Sequence, residues 1–425
     1  MALSGGAPPK WKKTKLKCGL TVISEELSEI PSIALSYTLK SGSRAESAEK
    51  CGLHHLLEHL LFKGSRAYDQ KKIADVSDRL GGRLNAFTGK EITQFYIKSI
   101  DEKFGEAFQL LTDIVLNPTF PETEFEKEKN VIIQEIKESA DNPDTHAFET
   151  FYERMYRKNG LGYPISGREE TVVRLDRGRV LTTYTKLYRP QNLVLSAAGS
   201  IRHRDLVNLA ERAFSRFPAR KPARFSFAPV AWTLCRFAKT NSTLNQLYVI
   251  IGFDSISAVS PLRYRMMIMN DILGAGMSSR LYQSIREEKG LAYTVSSFTD
   301  TYLECGLLLI YAIVEPGNVG RYHAAVKKEI GILQKKGITA EELDRAKDHI
   351  KSSVILSLEN NVSKMRFNTN QELYFGRELT LQEILAEINA VTIPNINALL
   401  HRLLPIDRSA HFIYGGSAVS GMPSW

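Results

Sequence analysis

One succession of strand and helix patterns occurs twice along this 425-residue chain, and a duplicated order restricts the architecture to two like domains. The first pass runs through the strand pattern SIALSYTLKSG, a glycine-flanked helix, the strand ITQFYIKSI, the helix EKFGEAFQLLTDIV and a helix opened by FPETEFEKEKNVI. The second runs through NQLYVIIGF, MMIMNDILGAG, AYTVSSFTDTYLECGLLLIYAIV, NVGRYHAAVKKEIGILQ and ITAEELDRAKDHIKSSV. Between them, RFPARKPARFSFAPVAW carries Pro218, Pro222 and Pro229, which interrupt regular structure and read as a linker. The expected organisation is a first domain over 1–216, a linker over 217–233 and a homologous second domain over 234–425. Each half mixes helices with a sheet, which makes the expected fold class α+β.

Only the first half carries a chemical signature. In CGLHHLLEHLLFKG, residues His55, Glu58 and His59 spell H-x-x-E-H, the inverted zinc-peptidase motif. On a helix these three fall on one side, while Leu53, Leu56, Leu57, Leu60 and Leu61 fall on the other. One face packs and the opposite face is free for chemistry. Nine His and 47 acidic residues in 425 give about 0.02 chance matches to such a pattern. Imidazoles four residues apart can reach one Zn²⁺ from a single helix turn, and a carboxylate beside them suits a general base acting on metal-activated water. His54 sits between the two faces and is left out of the site. The second half has LGAGMSSRLYQ at the corresponding place, so one metal per chain is expected.

The third ligand is expected in FEKEKNVIIQEIKESADNPD, where Glu128 and Glu135 share a helix face two turns, about 10.5 Å, apart. Both cannot touch one ion. Glu135 borders the apolar stripe of Phe125, Ile132, Ile133 and Ile136, so it is expected to point inward and ligate. Glu128 is expected to orient a ligand from behind. Glu122, Glu124, Glu126 and Glu138 read as a solvated face.

These motifs, together with LKCGLTVI, GSRAES, GGRLNAFTGKEITQFY and LGAGMSSRLYQSIREEKGLAYTV, give a chain that resembles the inverted-motif zinc peptidases of the pitrilysin and insulysin family, in the mitochondrial processing peptidase branch. The resemblance extends over nearly the whole length. It implies a mostly antiparallel sheet packed with helices in each domain, together forming half a clamshell. It implies His55, His59 and Glu135 as zinc ligands, Glu58 as base and Glu128 as supporting acid. It further implies that Asn85 and Ala86, on a strand beside the cleft, contact an extended peptide added as another strand. Arg286 and Tyr293 match the Arg and Tyr that similar enzymes bring to the substrate, where they could steady a carbonyl or oxyanion. The expected function is a zinc endopeptidase cutting extended peptides or unfolded segments. The alternative is a non-catalytic structural or assembly subunit of the same fold. Similar long enzymes close four such domains around the substrate, so a chain with two is expected to act as a homodimer or as a heterodimer with a related subunit.

Composition bounds the other classes. With 43% hydrophobic and 24% charged residues the chain is globular, and no apolar run approaches the roughly 18 residues of a membrane span. The start MALSGGAPPKWKKTKLK has neither a secretory signal core nor the Arg-rich amphipathic pattern of a presequence. A bacterial cytoplasmic location is therefore expected, with the mitochondrial matrix as the alternative. Cys18, Cys51, Cys235 and Cys305 lack metal or disulfide spacing, which favours a reducing compartment. The net charge of +9 permits a nucleic-acid partner, but no nucleic-acid module accompanies it and none is expected. Eight acids against three lysines between Pro121 and Asp144 favour basic peptides as substrates if those acids face the cleft. The tail SAVSGMPSW reads as loosely ordered.

Overall fold

A computed structural model describes residues 10–416, and the SAVSGMPSW tail lies outside the described residues. The chain forms two compact units. The first contains 1–138, 163–226 and 357–378; the second contains 139–162, 227–356 and 379–425. The proline-rich stretch expected as a linker does contain a border, between Ser226 and Phe227. The units nevertheless depart from the contiguous domains 1–216 and 234–425, because each includes a segment from the other half of the sequence. Hydrophobic periodicity identifies a helix but carries no information about which sheet it will cover.

The first unit is built on six strands: β1 (Lys10–Lys15), β2 (Thr21–Glu26), β3 (Ser32–Leu39), β4 (Arg83–Thr88), β5 (Thr93–Ile100) and β6 (Leu193–Gly199). Their order is β1-β2-β6-β3-β5-β4, and every neighbouring pair is antiparallel except β2 with β6. The central strands β3 and β6 are buried along nearly their whole length because both sheet faces are covered. One face carries helix Phe104–Leu116, whose Leu110, Leu111, Ile114 and Val115 are fully buried. Helix Asn361–Phe375, from far along the sequence, packs on β2, β3 and β6. Its inner side is mixed: Met365 packs on Ala34 and Ala198 and Leu373 on Ile23 and Val194, while Lys364 and Asn368 reach the buried Glu25 carboxylate at 2.8 and 2.7 Å. That pairing neutralises a charge which burial alone would make costly.

The second unit repeats the topology. Its strands β7 (Arg236–Thr240), β8 (Leu247–Asp254), β9 (Ala292–Thr301), β10 (Gly306–Val314) and β11 (Ala410–Gly415) are ordered β7-β11-β8-β10-β9. Only β7 with β11 is parallel. Order and sense match β2-β6-β3-β5-β4 strand for strand, so the duplication in sequence is a duplication of sheet topology. Helix Pro143–Met155 packs on β8 and β11. A Cβ at Gly252 would lie 2.6 Å from the Phe151 ring, so glycine in β8 permits that approach.

Candidate metal centre

The motif helix spans Leu53–Leu61, and all five leucines of its packing face are at most 2% exposed. Its start depends on two glycines. Gly52 has φ +96°, and a Cβ there would meet the Ser166 carbonyl oxygen at 2.7 Å; Gly167, φ +83°, would meet the Cys51 carbonyl at 2.5 Å. Glu46, from the GSRAES segment, caps the helix by accepting from the backbone N–H groups of Gly52 and His54 at 2.8 and 2.6 Å. Its carboxylate also meets His54 Nδ1 at 2.8 Å, while His54 Nε2 lies 2.9 Å from Ser41 Oγ. His54 is thus buried and committed to holding the helix start, away from the chemical face.

On that face His55 and His59 stack edge to face, 4.6 Å between ring centroids. The acidic helix Glu122–Asp141 runs past them, and one Glu135 carboxylate oxygen lies 3.8 Å from His55 Nε2 and 3.7 Å from His59 Nε2. Among the described residues these three form the one group of His, Cys, Asp and Glu side chains compact enough to hold a metal. Two imidazoles and a carboxylate suit Zn²⁺, whose tetrahedral ligands at 2.0–2.1 Å stand about 3.3 Å apart, so small side-chain adjustments would complete the cradle. Glu128 Oε2 lies 3.0 Å from His59 Nδ1, and Lys63 Nζ lies 2.8 Å from Glu128 Oε1. A proton held on Nδ1 toward Glu128 leaves Nε2 as a lone-pair donor toward the cradle.

The burial of the two glutamates reverses the sequence argument. Glu128 is the buried one, its side chain 6% exposed, whereas the Glu135 side chain is 40% exposed. Glu135 lies at the border of the apolar stripe and opens toward solvent, while Glu128 is enclosed because His59 and Lys63 supply its partners. The two glutamates meet different atoms: Glu135 approaches both Nε2 atoms, and Glu128 takes the far nitrogen of His59.

Glu58 Oε2 accepts a 2.5 Å hydrogen bond from Thr88 Oγ1 at the end of β4. Burial raises the Glu58 pKa, partly offset by the Thr88 bond and by the charge of His59. Burial, with the His59 charge, lowers His55 to about 4 and keeps its imidazole neutral at physiological pH. Burial would also lower His59, but the Glu128 hydrogen bond and the Glu135 charge raise it overall.

Asn85 and Ala86 lie on β4, an edge strand of the first sheet, which among the described residues pairs only with β5. Asn85 is exposed and its Oδ1 accepts from the Ala86 N–H at 2.7 Å. Arg286 and Tyr293 belong to the second unit. There the Arg286 guanidinium stacks 4.3 Å from the centre of the Tyr293 ring and 4.8 Å from that of Tyr282. Tyr293, at the start of edge strand β9, is 79% exposed. The segment preceding Gly290 is a wide π-type helix, Tyr282–Glu288.

Two family models match in tandem, that of Insulinase (Peptidase family M16) over residues 21–169 and that of the Peptidase M16 inactive domain over 174–350. The "uncharacterized zinc protease YmxG" of Bacillus subtilis is 34% identical over 415 residues, 97% of this chain and 100% of that protein. The chain belongs to peptidase family M16. An "uncharacterized zinc protease" of Rickettsia felis is 35% identical over 384 residues, covering 90% of this M16 chain and 92% of that one. In fold it resembles a protease from Helicobacter pylori, with TM-score 0.88, 20% identity and coverage of 96% of this chain and 100% of that one. A peptidase M16 inactive domain from Pseudomonas fluorescens gives TM-score 0.87 at 20% identity, covering 98% and 100% of the two chains. The match described as inactive falls mainly on the half without H-x-x-E-H.

Thr88, Lys63 and Glu46 take part in this site without having been singled out in the sequence. Thr88 stands thirty residues from the glutamate it binds, and nothing in its local pattern marks it. Glu46 was legible in principle, as an acid shortly before a glycine-started helix.

Proposed function

We propose that this M16 chain is a zinc-dependent endopeptidase acting on extended peptides or unfolded segments, in the manner of a processing peptidase. The observation that supports it most is the approach of both Nε2 atoms to one Glu135 oxygen at 3.8 and 3.7 Å, with Glu58 on the same helix. His55, His59 and Glu135 would hold the ion, and Glu128 orients His59. Zinc bound there supplies a Lewis acid that lowers the pKa of water and polarises a peptide carbonyl. Glu58 Oε2, steadied by Thr88, takes the proton of the attacking water and delivers it to the leaving amine. The open edge of β4 at Asn85 and Ala86 receives the substrate backbone as an added strand. Arg286 and Tyr293 donate hydrogen bonds to a peptide carbonyl, supplied in trans by a second copy or a related subunit.

The test compares His55→Ala and His59→Ala with Glu58→Gln by metal analysis and cleavage of a mixed peptide library. The histidine variants lose zinc and activity. Glu58→Gln keeps zinc while cleavage falls by orders of magnitude. Full zinc stoichiometry in both histidine variants would refute the ligand set, and wild-type turnover in Glu58→Gln would remove it as the base.

A further inference from the structure

The chain's excess charge is concentrated in one stretch. Residues 174–224 hold twelve Lys and Arg against three Asp and Glu, a net +9, whereas the other 374 residues carry 44 charges of each sign. That stretch also lines a cleft of about 520 Å³ in the first unit, bordered by Lys186, Arg189 and Arg220 with Gln191 and Phe217. No carboxylate lines it. Among the described residues none of the three cations pairs with a carboxylate, although other cations of the stretch do, such as Arg179 with Asp176 and Arg202 with Asp205. Like charges converging on a concavity without a counter-charge repel one another, and an anion relieves that repulsion.

The frame around the cleft is fixed. Arg189 donates from Nε to the Thr185 carbonyl at 2.6 Å, which orients the guanidinium and leaves its terminal nitrogens for a ligand. The backbone carrying Arg220 is tied down by its N–H to the Lys17 carbonyl at 2.9 Å and by the Ala223 N–H to the Gln191 carbonyl at 2.7 Å. It also passes so close to Gly19 that a Cβ there would lie 2.9 Å from the Arg220 carbonyl oxygen. Two arginines present planar forks suited to phosphate oxygens and a lysine adds a point charge. The concavity favours an inserted group over a flat surface.

We infer that this cleft is an anion site for a phosphate group, carried by a soluble phosphate ester or by a lipid headgroup. The inference is independent of the metal centre. Its test uses the zinc-loaded protein in 0.15 M KCl, titrated calorimetrically with inorganic phosphate and floated with phosphatidylglycerol-containing or pure phosphatidylcholine vesicles. A Lys186→Gln, Arg189→Gln, Arg220→Gln variant is compared with Lys328→Gln, Lys335→Gln, Lys336→Gln, which loses the same charge from helix Val319–Lys336; all six side chains are exposed, so the two variants differ in place and not in burial. Phosphate binds wild type in roughly the millimolar range, and the cleft variant weakens it at least about tenfold while the control variant does not. Vesicle binding that depends on phosphatidylglycerol and disappears in the cleft variant assigns a lipid source. Phosphate binding without vesicle binding assigns a soluble one. Both triple variants retain every residue of the metal centre, so heat from phosphate acting on zinc would persist in them. Absence of binding to either probe, or equal weakening in the two triple variants, overturns the inference.

Discussion

Replacing Thr88 with Val removes one hydroxyl and changes little else in shape. In the wild type that hydroxyl donates at 2.5 Å to Glu58 Oε2. A hydrogen bond to a carboxylate contributes about 1.5–3 kcal/mol, and Glu58 is only partly enclosed, so the lower end applies. A loss of about 1.5 kcal/mol corresponds to roughly a tenfold fall in kcat. The pH profile gives a second, signed readout. Burial already raises the Glu58 pKa and the Thr88 bond opposes that rise. Without the bond the carboxyl stays protonated to higher pH, so the acid limb of kcat moves upward. Thr88→Ser restores the donor and should recover both the rate and the limb. The assay is cleavage of an internally quenched peptide across pH, with zinc content measured in each variant. An unmoved acid limb in Thr88→Val, or equal behaviour of the Val and Ser variants, would refute the argument that Thr88 acts through Glu58.

Three further outcomes are expected. Glu135→Gln should weaken zinc more than Glu128→Gln, whose cost is about 10- to 100-fold for a partner behind a ligand, and competition with a chelator ranks them; the reverse order means the glutamates are misassigned. If Arg286 and Tyr293 act in trans in a homodimer, mixing Glu58→Gln and Tyr293→Phe proteins should recover about a quarter of wild-type activity, since half the dimers are mixed and each holds one intact site. Mixed dimers verified by mass with no gain over the parents would reject sharing. In the second unit His323, on helix Val319–Lys336, and His411, on β11, lie 5.8 Å apart between ring centroids; burial lowers His323 to about 4, and burial with the charges of His323 and Arg236 lowers His411 to about 3. Because an unfolded His titrates near about 6.5, their contribution is complete above that pH and is lost as pH falls toward 4 and 3, so melting temperature should drop on acidification and His323→Leu should flatten the slope.

The grouping of the two histidines was legible because a helix fixes its own side-chain geometry. His55, Glu58 and His59 share a face whatever the rest of the chain does, and the five leucines opposite announce which side is buried. The acidic helix was equally readable as an element, but the environment of its glutamates was not. Periodicity placed Glu135 at the edge of an apolar stripe, whereas burial depends on what lies opposite, and Lys63 and His59 stand opposite Glu128. Strand β4 could be read from its residues, yet its place at the sheet edge follows from the strand order alone.

By itself, then, the sequence determined the doubled succession of elements, the α+β class, the H-x-x-E-H spelling of the motif and the polar face of its helix, each read from residue patterns along the chain. Tertiary structure decided which residues separated along the chain meet: Thr88 with Glu58, Glu46 with the start of the motif helix, Arg189 with Arg220 around a basic cleft. It also decided that helix Asn361–Phe375 covers the first sheet and Pro143–Met155 the second. The physical reason is that local patterns specify the shape and polarity of each element, while the partner of an exposed face is settled only when all the faces compete for burial at once.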